Sequence, residues 1–170
     1  MKIALFALLF AASALAQTPA DSLPVACGEG NINFKVKLDD TRSQSVHPEP
    51  GKALVFFIHD AGTSSLLAYP TTKFGMDGAW VGADHGNSYF SVSVEPGEHH
   101  LCAIVQSSFV DSREEFAHLT AEPGKVYYYR TRLFISERVT YLELNPVDSD
   151  QGRNLIASYP LSLSTPKGRR

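Results

Sequence analysis

Ser88-Tyr89-Phe90-Ser91-Val92-Ser93-Val94-Glu95-Pro96-Gly97-Glu98 is the stretch that decides the fold. Phe90, Val92 and Val94 fall on one face of an extended chain, and Tyr89, Ser91 and Ser93 fall on the other. Successive side chains of a strand point to opposite faces, so this alternation predicts a half-buried strand. Pro96 presets φ for the first central position of a turn, and Gly97 accepts the positive φ a type II turn needs next. The pair predicts a tight turn, with His100 to Val105 returning antiparallel to the strand.

The same device recurs in both directions from this stretch. Glu49-Pro50-Gly51-Lys52 and Glu122-Pro123-Gly124-Lys125 each lead into an apolar or aromatic run. The flanking runs do not align, so these turns are not an internal repeat. Asp77-Gly78 is the signature of a two-residue type I′ hairpin. Ala53 to Ile58 is wholly apolar, which fits a central strand covered on both faces. Ile32, Phe34, Val36 and Leu38 alternate along one side of another strand. Val126 to Ile135 is long and rich in Tyr and Phe, and Arg138 to Leu144 can pair back on it.

The pattern predicts eight or nine strands, over residues 32–38, 53–59, 72–76, 79–83, 88–95, 98–106, 114–121, 125–135 and 138–145. Short strands at regular spacing with turn signals point to an all-β fold, an antiparallel β-sandwich or open barrel. Residues 146–157 predict a short C-terminal helix, although Gly152 is a poor helix former.

The N-terminus reads as a signal peptide over residues 1–16. Lys2 supplies a positive start, Ile3 to Ala12 is uniformly apolar, and Ala14-Leu15-Ala16 offers the small-x-small cleavage pattern. The apolar run is shorter than the roughly 20 residues a membrane helix needs. No Cys follows the cleavage site directly and no second long apolar run exists, so no stable membrane insertion is expected after cleavage. The location expected is periplasmic or secreted. Residues 17–30 read as a linker, 31–160 as a single β-sandwich domain, and 161–170 as a flexible tail ending in Lys167-Gly168-Arg169-Arg170.

Cys27 and Cys102 make an even count in an oxidising compartment, which favours a disulfide. It would close a loop of roughly 75 residues and stabilise the fold by roughly 4 kcal/mol in the chain-entropy account. No C-x-x-C spacing marks a redox thiol. The formal charge of −3, with acids and bases interspersed, argues against nucleic-acid binding.

No reaction-specific motif is present. H-E-x-x-H, G-x-S-x-G and phosphate-cradling glycine loops are all missing, and no cofactor is expected. Ser64, His59 and Asp60 contain the residue types of a triad, but near neighbours in sequence do not converge as triad partners must. The six histidines raise the alternative of a metal-binding protein or a hydrolase built from loop residues. Its candidates are His59, Asp60 and His85, which sit at strand ends, and His118, which has the Glu-x-x-His spacing in Glu115-Phe116-Ala117-His118. The simpler reading is a set of exposed or singly hydrogen-bonded histidines.

Tyr127, Tyr128 and Tyr129 are consecutive, so they cannot all face one core. Tyr128 with Arg130 on the outer face of its strand, joined by Trp80 and Tyr89, is therefore the candidate binding patch, with Tyr69 beside it. Exposed aromatic side chains can make a sugar or protein contact surface; the simpler reading is ordinary sheet packing of amphipathic rings. Arg130 and Arg132 share one face of their strand.

The order of these features resembles the bacterial DUF2846 family of exported small domains. The resemblance covers about residues 50–155. It runs through Gly51-Lys52-Ala53-Leu54-Val55-Phe56-Phe57-Ile58, the hairpin about Asp77-Gly78, Gly86-Asn87-Ser88-Tyr89-Phe90, Val94-Glu95-Pro96-Gly97-Glu98-His99-His100-Leu101 and Glu122-Pro123-Gly124-Lys125-Val126-Tyr127. The turn about Pro96-Gly97 is also similar to that of PEGA-type β domains. The resemblance implies a β-sandwich-like domain of the bacterial envelope and carries no catalytic residues. This chain lacks the lipobox cysteine of lipoprotein members. The function expected is that of a non-catalytic binding or scaffolding module, with an envelope protein or a glycan as partner.

Overall fold

The computed structural model describes residues 25–61, 70–106, 113–136 and 139–167. The signal-peptide segment, residues 17–24 of the linker, Ser64, Tyr69 and the last three residues of the chain lie outside the described residues.

Among the described residues the chain forms ten strands and one helix: β1 (Phe34–Asp39), β2 (Ala53–His59), β3 (Thr71–Met76), β4 (Ala79–His85), β5 (Ser88–Val94), β6 (Gly97–Gln106), β7 (Glu115–Ala121), β8 (Val126–Ser136), β9 (Val139–Val147), α1 (Ser149–Ser158) and β10 (Leu161–Pro166). All nine strands predicted from the turns form. A six-stranded sheet runs β1-β10-β5-β2-β8-β9, and a four-stranded sheet runs β4-β3-β6-β7. Pairing is antiparallel except at β2–β8 and β10–β5. The uniformly apolar β2 lies between β5 and β8 with both faces buried.

Three layers result. Between the sheets, Phe57, Phe74 and Phe90 pack with ring centroids 4.9 to 5.5 Å apart, among Val55, Leu101, Leu119, Tyr129 and Leu142. On the outer face of the large sheet, Phe56, Ile58, Tyr89 and Tyr128 make a second cluster with Ile156 of α1. Asp148 caps α1 by accepting from the backbone N–H groups of Asp150 and Gln151. Gly152, a weak point for a helix in isolation, is where α1 lies on the ring of Tyr128. A Cβ there would meet Tyr128 Cγ at 2.2 Å.

Two expectations are corrected. Residues 161–166 are not a tail but strand β10, paired with β1 along its whole length. Leu161 fills the outer cluster, and Ser162 is buried beneath it. Pro96-Gly97 does not close a hairpin. It is a corner between the sheets, since β5 belongs to the large sheet and β6 to the small one. Gly97 has φ +140, whereas Gly51 (+82) and Gly124 (+75) keep the type II value and close turns from Lys52 N–H to Glu49 O and from Lys125 N–H to Glu122 O. The apolar faces of β5 and β6 must reach one interior, and a corner lets them do so from opposite walls.

Cys27 is bonded to Cys102 of β6, with Cα atoms 5.3 Å apart. The bond holds residues 25–31 over the outer face of the small sheet, where Ala26 O accepts from Gly78 N–H and Gly30 O from Trp80 Nε1–H. Among the described residues no helix is long and apolar enough to cross a membrane.

Candidate functional site

The period of two assigns neighbouring residues to different layers where β2 ends. His59 follows the inward Phe57, and Asp60 follows the outward Ile58. On the adjacent β8, Thr131 turns inward opposite His59, while Arg130 and Arg132 turn outward. One end of the sandwich therefore carries a buried polar layer inside the large sheet and a charged cluster outside it.

The inner layer is built from both sheets. His59, Thr131 and Ser88 come from the large sheet, and Thr72 and Asp84 from the small one; all five are fully buried. His59 Nδ1 lies 3.0 Å from Asp84 Oδ1 and 3.3 Å from Thr72 Oγ1. A single proton, on the imidazole or on the carboxyl, bridges His59 and Asp84. Burial pushes the Asp84 carboxyl up to about 6, against the pull of His59. Ser88 Oγ lies 2.7 Å from Ser162 Oγ and also donates to His85 O. His59 Nε2, the atom a general base would present, is enclosed with no hydrogen-bond partner among the described residues, as is Asp84 Oδ2. The pair has the composition of a base and its orienting acid but no route to a substrate among those residues.

The outer cluster centres on Asp60. Tyr159, just after α1, donates from its hydroxyl to Asp60 Oδ1 at 2.9 Å. Burial, and then that bond to Asp60, pushes the Tyr159 phenol up to about 12. The guanidinium groups of Arg130 and Arg132 approach Asp60 Oδ2 at 3.7 and 3.5 Å. Further along β8, beyond α1, Phe134 stands directly opposite Tyr141 of β9, and Arg132 stands opposite Glu143. Phe134 is 44% and Tyr141 54% exposed.

The expected aromatic patch does not form. Tyr128 does leave the sheet on its outer face, but α1 covers it, and its ring stacks on Phe56 at 5.3 Å. Tyr89 is buried on the other side of Phe56. Trp80 lies on the small sheet, under the Lys73 ammonium at 4.1 Å. Of the four residues only Arg130 belongs to the surface cluster, and it is mostly buried against Asp60.

The four candidate metal ligands do not converge either. His59 is held by Asp84 and Asp60 by Tyr159, on opposite faces of the large sheet. His85 lies at the end of β4, where burial and the nearby His59 lower its pKa. His118 is on β7, its ring 5.3 Å from that of His100. Among the described residues no group of three or more His, Cys, Asp or Glu side chains is placed to hold a metal ion.

Sequence reasoning missed Thr72, Tyr159, Phe134 and Tyr141. Thr72 pairs with Asp84 only because a bulge between Phe74 and Gly75 shifts the β3–β4 register by one residue. Counting back from Asp77-Gly78 without the bulge places Thr72 opposite Ala83. Phe134 and Tyr141 were within reach, since both lie on predicted strands at outward positions. Comparison with family models, with curated proteins and with solved structures finds no match to this chain.

Proposed function

We propose that this chain is an exported, non-catalytic binding or scaffolding module that meets another envelope protein through the outer face of β8 and β9. The observation that carries the reading is the Phe134–Tyr141 pair. Two large rings stand exposed in direct register on the stretch of sheet that α1 leaves bare, with Arg132 beside them. Aromatic and Arg side chains are enriched at the centres of protein interfaces, where they fill well-packed, desolvated pockets. The enclosed His59 Nε2 supports a role in binding rather than catalysis.

Export is supported by Lys2, the apolar run Ile3 to Ala12 and the Ala14-Leu15-Ala16 pattern, together with a disulfide of the kind that persists in oxidising compartments. A periplasmic or secreted location and the resemblance to DUF2846 domains belong to the same reading. The test is capture from envelope extract by the wild type and by a Phe134→Ser/Tyr141→Ser double variant, with circular dichroism as the folding control. The reading expects specific partners that the folded double variant no longer retains. An unchanged partner set would overturn it.

A further inference from the structure

A second place on the molecule carries uncommitted polar groups. Residues 44–49 pass over the outer face of the large sheet at the end opposite Asp60, and border an open groove of about 580 Å³. Leu54 of β2 and Ser91 and Ser93 of β5 form its floor, and Gln44, His47 and Glu49 form its wall. The volume falls in the range of about 300–1,000 Å³ typical of small-molecule sites.

We propose that this groove binds a short neutral saccharide. The groove has unused hydrogen-bond capacity. Gln44 Oε1 is buried with no partner among the described residues, and a buried acceptor in that state is costly unless a donor reaches it. The His47 imidazole and the Ser91 and Ser93 hydroxyls also make no hydrogen bond within the described residues. The backbone adds more. β10 pairs with β5 only at Leu161 and Tyr89, and Tyr89 N–H reaches Pro160 O. By the period of two, the N–H and C=O groups of Ser91 and Ser93 leave the strand on that same side, beyond the point where β10 has diverged. Hydroxyls, an amide, an imidazole and open peptide groups, alternating donor and acceptor, suit a ligand rich in hydroxyl groups.

Charge at the rim narrows the class of ligand. Glu49 and Glu95 share the Lys52 ammonium at 3.5 and 3.4 Å, which leaves the rim with a net negative charge. That disfavours an acidic sugar or a phosphate. An extended peptide would use the same open edge of β5, but only Ser91 and Ser93 present it, and Leu54 and Pro48 are the only apolar side chains of the lining. This inference does not rest on the β8–β9 face, which lies elsewhere and involves different residues.

The experiment is a titration of the ¹⁵N-labelled protein with chitotriose and with maltotriose, with glucuronate and trialanine as controls. The expected result is saturable shifts at Gln44, His47, Ser91 and Ser93 with one of the neutral sugars, with a Kd on the order of 1 mM. A Ser91→Ala/Ser93→Ala variant, shown folded by its own spectrum, should weaken that binding about tenfold. Three results would overturn the proposal: no saturable shift with either sugar, equal affinity in the double variant, or glucuronate or trialanine binding as tightly as the sugar.

Discussion

His59 and Asp60 are neighbours in the chain, as are Thr131 and Arg132, yet the sheet sends them into opposite environments. Inside, His59 and Thr131 are fully buried, and His59 meets Asp84 from the other sheet at 3.0 Å. Outside, Asp60 and Arg132 approach at 3.5 Å, with the arginine side chain 46% exposed. Both are acid–base pairs, but the low-dielectric interior makes the inner one far more costly to break. Charge is therefore locked into the fold where it is enclosed and only loosely held where it faces out.

The largest expected effect comes from breaking the inner pair. Asp84→Ala leaves the buried His59 Nδ1 without its carboxyl partner and should cost about 3–5 kcal/mol of unfolding free energy in urea melts. A loss no larger than that of a surface change would remove the special status of the inner layer.

A finer test uses pH. Burial raises the Asp84 pKa from 3.8 to about 6, so the folded state holds a proton that the unfolded state has released across that window. The stability this contributes is fully present below the unfolded value of 3.8 and is lost as pH rises through about 6. Asp84→Asn does not titrate and can still accept from His59. The wild type should therefore lose stability relative to Asp84→Asn between about pH 4 and about pH 7. Parallel urea midpoints for the two proteins across that range would remove the enclosed charge from the account.

The smallest effect is expected on the outside. Arg132→Ala breaks a half-exposed ion pair and should change stability by no more than about 1 kcal/mol. A much larger loss would mean that the outer cluster is as structural as the inner one.

These contrasts also mark what was legible in the sequence. Local signals carried most of the fold. The apolar run of β2, the alternation of β5 and the Asp77-Gly78 hairpin each need only a few adjacent residues to be read. Cys27 and Cys102 could be paired from their even count and the expected compartment alone. The misreadings came where distant segments decide the outcome. Tyr128 has an outward address in the sequence, but whether its ring sees solvent depends on α1 docking over it. Leu161-Ser162-Leu163-Ser164 alternates like a strand, but the short run ahead of a polar end gave no hint of β1, more than 120 residues earlier, as its partner. The His59–Asp84 contact spans two sheets, and its Thr72 neighbour was further hidden by the bulge.

We propose that recognition resides on the exposed β8–β9 face and not in the buried acid–imidazole pair. The most direct test is partner capture by two folded proteins side by side, the Asp84→Asn variant and the Phe134→Ser/Tyr141→Ser variant. The account predicts that the first retains the wild-type partners and the second loses them. The reverse outcome, with partners lost on changing Asp84 and kept on removing the two rings, would contradict it.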